Sequence, residues 1–118
     1  MNEADARRLE RRASLLKTLA HPSRLLIVEM LEERPRCVTE LTEAIGADIT
    51  TVSKHLAVLK RAGFVRDRKR GTHSDYELLC GCISHFVDCV EKGMDACSSQ
   101  AARVDAGEER QGAGTGSG

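Results

Sequence analysis

Aromatic residues are scarce in this chain: 118 residues include two Phe, one Tyr and no Trp. The core must therefore be modest and built mainly from aliphatic side chains, which suits one small domain and not two. Net charge is also lacking, since 18 Lys and Arg balance 18 Asp and Glu. That excludes a uniformly basic or acidic protein but says nothing of how the charges are placed. No apolar run approaches the length of a membrane span, and the N-terminus is charged, unlike a signal peptide. A soluble, cytoplasmic protein with no membrane partner is expected. No nucleophile with a neighbouring general base, no phosphate-binding glycine loop and no open zinc triad can be assembled from the residues present. Neither an enzyme nor a catalytic cofactor is expected.

What is present is concentrated in residues 49–76. Val52, Leu56 and Leu59, with Ala57 and Ala62 beside them, repeat at three and four and form one inward stripe of a helix. Thr50, Thr51, Ser53, Lys54 and His55 are left facing outward. These are the donors, acceptors and cation that reach base edges and phosphates when a helix lies in the major groove of double-stranded DNA. Asp48 stands at the N-cap position and Gly63 at the left-handed C-terminal position.

After Gly63 the period changes to two. Arg66, Arg68 and Arg70 alternate with Val65, Asp67 and Lys69, Gly71-Thr72 supplies a turn, and Tyr76 and Leu78 lead back toward a core. Between Ile49 and His73 the cations are Lys54, Lys60, Arg61, Arg66, Arg68, Lys69 and Arg70, against Asp67 alone. The zero net charge therefore conceals a polarised molecule with a basic face, the footprint of nucleic-acid binding. Arg66, Arg68, Lys69 and Arg70 are the wing residues expected to meet phosphates.

A preceding helix over Val38–Ile45, with Val38, Leu41 and Ile45 inward and Gly46 at the turn, completes a helix-turn-helix. Upstream, Leu9, Ala13, Leu16 and Leu19 mark a helix over residues 4–20, and Pro22 opens a core helix that runs to about Glu33. A last helix is expected over residues 80–99. The expected fold is mostly α with a small β-hairpin wing, a homodimeric winged helix-turn-helix, because the terminal helices have apolar faces with nothing left to cover them. Residues 1–99 form the DNA-binding and dimerisation domain in this reading, and residues 100–118, rich in Gly and polar side chains, form a disordered tail.

Leu19-Ala20-His21-Pro22-Ser23-Arg24-Leu25, Val38-Thr39-Glu40-Leu41, Thr51-Val52-Ser53-Lys54-His55-Leu56 and the Arg-rich wing ending in Tyr76-Glu77-Leu78 occur in order. Together they resemble the ArsR/SmtB family of bacterial metal-responsive repressors. The resemblance implies a homodimer that binds operator DNA when free and releases it when an inducer binds. A two-fold dimer presents two equivalent helices, so the operator should be an inverted repeat. One departure is Ile49, where members often carry Gln. A contact with a thymine methyl would replace adenine reading there.

Four of the five cysteines, Cys80, Cys82, Cys89 and Cys97, lie in or beside the last helix. In a cytosolic protein this points to thiolate ligation or redox chemistry, not a disulfide framework. Cys80 and Cys82 place two soft donors at a helix start, where backbone N–H dipoles favour thiolates. In some members of the resembled family, zinc joins the start of one last helix to the later part of the partner's. The Asp and His of that site fall here on Cys80 and Cys82, and the later His falls on Gly93. The resemblance thus implies a sulfur site of Cys80, Cys82 and a third ligand, Cys89 or Cys97, from the other protomer. Three sulfurs suit pyramidal arsenite or antimonite, with cadmium, lead, mercury and copper(I) as soft alternatives and His85 as a nitrogen donor. Arsenic sensors of the family commonly carry Cys-Val-Cys before the helix-turn-helix, but here the segment reads Cys37-Val38-Thr39, and Cys37 is read as a small buried hydrophobe. The alternative function is a thiol redox or persulfide-sensing repressor on the same scaffold.

Overall fold

The computed structural model describes the backbone of residues 1–107 and the side chains of residues 1–98. In chain order the elements are α1 (Glu3–Leu19), α2 (Pro22–Glu33), β1 (Arg36–Cys37), α3 (Val38–Ile45), α4 (Ile49–Ala62), β2 (Val65–Arg70), β3 (His73–Leu78) and α5 (Ile83–Gly107). They fall into two compact units, residues 1–81 and the residues from 82 onward.

The first unit is a helical cluster with a sheet at one edge. Helix α4 packs against α1, α2, α3 and β2, which makes it the hub of the unit. Ile27, Val28 and Leu31 of α2, Leu41 of α3, and Val52, Leu56 and Leu59 of α4 form the buried centre, joined by Leu19, Phe64 and Val65. Each such side chain contributes about 1.5–3 kcal/mol on leaving water, enough together to hold a small unit with few aromatics. The ends of α3 and α4 are set by Gly46 (φ 80°) and Gly63 (φ 92°), left-handed positions that would strain any residue with a Cβ.

The hairpin forms with the two-residue turn at Gly71-Thr72, pairing Val65 with Leu78, Asp67 with Tyr76 and Arg70 with His73. A third strand was not foreseen. Arg36 and Cys37 pair antiparallel with Tyr76 and Asp75, so the sheet order is β1-β3-β2. Two residues after Pro35 carry no readable periodicity, and only the edge offered by β3 makes them a strand. Cys37 then caps α3, with its N–H donating to Glu40 Oε1 at 3.1 Å.

The second unit is α5. It starts at Ile83, three residues after the expected start, and the Cys82 carbonyl accepts its first hydrogen bond from the Phe86 N–H at 3.0 Å. It continues through residues 100–107, where the sequence reading put a disordered tail. The segment Gln100-Ala101-Ala102-Arg103 consists of good helix formers, a propensity outweighed in that reading by the Gly-rich end of the tail. The remainder of the expected tail, residues 108–118, lies outside the described residues. No helix among the described residues is long and apolar enough to cross a membrane.

Candidate nucleic-acid interface and cysteine positions

The outward face of α4 carries Thr50, Thr51, Ser53 and Lys54, all exposed, with Ile49 at its start 51% exposed. Asp48 caps the helix with extended backbone, although its side chain closes no cap hydrogen bond. Its carboxyl is held below the ordinary value, first by the Thr51 hydroxyl, with Lys54 adding a smaller attraction. Lys54 forms no salt bridge among the described residues and is left to meet an external anion.

His55 departs from this face. Only 9% exposed, it belongs to the buried stripe with Val52, Leu56 and Leu59. Position 55 lies three residues after Val52 and four before Leu59, so helical geometry puts it inward. Counting only apolar residues had turned it out. Its Nδ1 accepts from Arg24 Nε at 3.1 Å, and its ring centroid lies 4.4 Å from that of His21. The structure therefore turns His55 away from the DNA-facing side of α4, against the expectation.

The wing also differs from the plain cationic tip expected. Arg66, Arg68, Lys69 and Arg70 are exposed, but the returning strand supplies carboxylates to three of them. Arg66 Nε donates to Glu77 Oε1 at 2.7 Å, Arg68 Nη1 lies 3.4 Å from the same oxygen, and Arg70 Nη1 lies 3.2 Å from Asp75 Oδ2. The Glu77 carboxyl is held below the ordinary range, chiefly by its hydrogen bond with Arg66. Lys69 has no salt bridge among the described residues. Lys60, in the last turn of α4, reaches Asp67 of β2 at 2.8 Å and ties helix to wing, lowering the Asp67 carboxyl and raising its own ammonium. Asp75 and Glu77 lie just beyond His73, outside the segment whose cations face Asp67 alone.

Of the cysteines, Cys37 and Cys80 are half-buried, whereas Cys82, Cys89 and Cys97 are exposed. Only Cys82 stands at the start of α5, since Cys80 precedes the first helical residue by three. Cys89 Sγ lies 3.7 Å from His85 Nε2, one turn earlier on the same helix. Cys82 and Cys89 are seven residues apart, about 10 Å along a helix axis. Among the described residues no group of three His, Cys, Asp or Glu side chains converges to hold a metal ion.

The sequence pattern described as "Bacterial regulatory protein, arsR family" matches residues 21–67, which span α2 to the start of β2. The HTH-type transcriptional repressor SmtB of Mycobacterium tuberculosis is 40% identical over 90 residues, 75% of this chain and 67% of that protein. The chain belongs to the ArsR family. This ArsR-family chain is likewise 38% identical over 82 residues to the HTH-type transcriptional regulator Rv0081 of M. tuberculosis, covering 69% of this chain and 72% of the relative. The crystal structure of Rv0081 superposes with a TM-score of 0.66 at 32% identity, over 85% of this chain and 97% of that one. The solution structure of the homodimeric winged helix-turn-helix domain of Mb0332 from Mycobacterium bovis gives a TM-score of 0.67 at 29% identity, over 80% and 88% of the two chains. This chain is thus a DNA-binding regulator of transcription with a winged helix-turn-helix, and these relatives are regulators, not enzymes.

Proposed function

We propose that this chain is a cytoplasmic homodimeric repressor that binds an inverted-repeat operator and leaves it when a thiophilic metalloid, arsenite or antimonite, is bound by its C-terminal cysteines. The observation that carries the reading is the placement of Cys82, Cys89 and Cys97 as exposed thiols on and at the start of one helix. No three donors of one chain come together among the described residues, so a three-sulfur site calls on a second copy. Exposed apolar residues support that copy. Phe86, Val90 and Met94 follow one another at four-residue spacing along α5, each about half exposed, and Leu9 and Leu16 are exposed on α1. Homodimerisation of Mb0332 supports it as well.

Cys80 and Cys82 of one protomer, with Cys89 or Cys97 of the partner subunit, supply the sulfur set. It favours a three-coordinate metalloid over ions that ask for oxygen ligands. Thr50, Thr51, Ser53 and Lys54 read or hold the major groove, and Arg66, Arg68, Lys69 and Arg70 hold the flanking phosphates. Inducer and DNA then compete through the dimer geometry, with a coupling of about 1–3 kcal/mol.

The test is a gel shift on the upstream promoter with reduced protein, challenged with arsenite, a panel of soft metals and an oxidant. Full release by arsenite is expected, and the Cys80→Ser, Cys82→Ser double variant should bind the promoter equally well but stay bound. Arsenite release from that variant removes the site. Release by oxidant alone moves the function to thiol redox sensing.

A further inference from the structure

His55 is buried in α4, and the groups around it are donors or cations. Arg24 Nε donates to its Nδ1 at 3.1 Å, while Arg24 Nη1 donates to the Thr18 carbonyl oxygen at 3.0 Å, so one guanidinium links α2 to both α4 and α1. The ring of His21 sits against that of His55, centroids 4.4 Å apart and planes inclined by 51°. His21 in turn caps α2, its Nδ1 accepting from the Ser23 N–H at 3.1 Å. A guanidinium and a backbone N–H have no lone pair to offer. Both Nδ1 atoms must therefore be without a proton in this arrangement, and each neutral ring carries its hydrogen on Nε2. Adding a proton to either Nδ1 removes an acceptor, and on His55 it sets a positive charge against Arg24.

We propose that His21, Arg24 and His55 form a proton-sensitive latch that positions the recognition helix, so that DNA binding weakens as the pH falls. Burial acts on the His55 ring first, then the repulsion that a second proton on the adjoining His21 ring would meet, then the charge of Arg24, and all three oppose protonation of His55. Among the described residues no carboxylate of α1, α3 or β2 acts on the ring to offset them. Because the folded value is depressed, the unfolded chain takes up the proton more readily. The latch is complete above about pH 6.5 and is lost as the pH falls through the folded value. Thr51 and Lys54 lie within one turn of His55, so loosening that turn displaces side chains on the DNA-facing side. Arg24 and His55 are positioning residues in this account. The inference uses the DNA binding of the family and not the cysteine site.

The experiment measures binding of the full chain, by fluorescence anisotropy at constant salt, to a duplex the chain itself selects from a random library at about pH 8. From about pH 8 to about pH 5.5 the affinity should fall several-fold to about a hundredfold, the span of an ordinary coupling. His55→Asn places Oδ1 where Nδ1 was, keeps the acceptor for Arg24 and does not titrate. It should bind nearly as the wild type does at about pH 8 and hold its affinity on acidification. A flat wild-type profile overturns the proposal, as does a His55→Asn profile that runs parallel to the wild type. If His55→Asn does not fold, the ring nitrogens of the wild-type chain decide by NMR. An unprotonated His55 Nδ1 at about pH 8, gaining its proton over the range where affinity is lost, supports the latch, and any other result overturns it.

Discussion

On the recognition helix Lys54 is exposed and has no salt bridge among the described residues, whereas on the wing Arg66 and Arg68 share Glu77 and Arg70 reaches Asp75. Both regions are cationic in sequence, but they present charge differently. A phosphate approaching Lys54 breaks no salt bridge among the described residues. One approaching the wing meets guanidinium groups already held by carboxylates. An arginine has five N–H donors and can serve a carboxylate and a phosphate together, so the pairing aims the wing while reducing its net field. A count of basic residues thus measures what a surface contains, not what it offers.

The most severe way to break the comparison is to remove the support that both regions share. Leu56 is 1% exposed at the centre of the unit, and Leu56→Ala should cost about 2–5 kcal/mol in chemical denaturation and take helix and wing together. Next in size is Lys54→Ala, expected to weaken DNA binding about tenfold, on the scale of ~1–3 kcal/mol for a good contact, with thermal stability little changed. Equal affinity in titrations of this variant would contradict the assignment of that face. Smaller still is the double change Arg68→Ala with Arg70→Ala. It should lower affinity a few-fold and reduce the slope of log affinity against log salt by about one to two units per protomer, because each phosphate contact releases about one counterion.

The least disruptive change sharpens the comparison most. Glu77→Gln frees Arg66 and Arg68 from their carboxylate, so DNA binding should tighten slightly and its salt slope should steepen. The same variant carries a pH signature. The Glu77 carboxyl is held low by Arg66, and its contribution to stability is present above the ordinary glutamate value of about 4.3 and lost as the pH falls through the folded value. Glu77→Gln should therefore flatten that acid limb in melting curves. An unaltered salt slope would mean that the paired arginines already meet DNA as fully as unpaired ones.

Much of the first unit was legible before folding. The spacing of Val52, Leu56 and Leu59, the glycines at positions 46 and 63 and the change of period at Val65 are local signals, and α3, α4 and the hairpin follow from them. His55 was misread because polarity was taken as orientation. β1 was missed because two residues have no period, and the end of α5 because a Gly-rich terminus coloured the residues before it. The ion pairs of the wing needed the register that sets Arg66 opposite Glu77 and Arg68 opposite Asp75.

The cysteines were legible as chemistry and not as a site. Five thiols, four of them near one helix, name soft ligands from composition alone, but ligation depends on distances that sequence spacing within one chain does not close. By itself the sequence determined the order of the five helices and the hairpin, the ends of α3 and α4 and the polar or apolar character of most positions on them, since these follow from residue type and short-range geometry. Only the tertiary structure decided that His55 turns inward to Arg24, that Arg36 and Cys37 join the sheet, and that the wing arginines carry carboxylate partners. Those outcomes rest on contacts between segments far apart in the chain, such as residues 24 and 55, and folding alone brings such pairs within reach of a hydrogen bond.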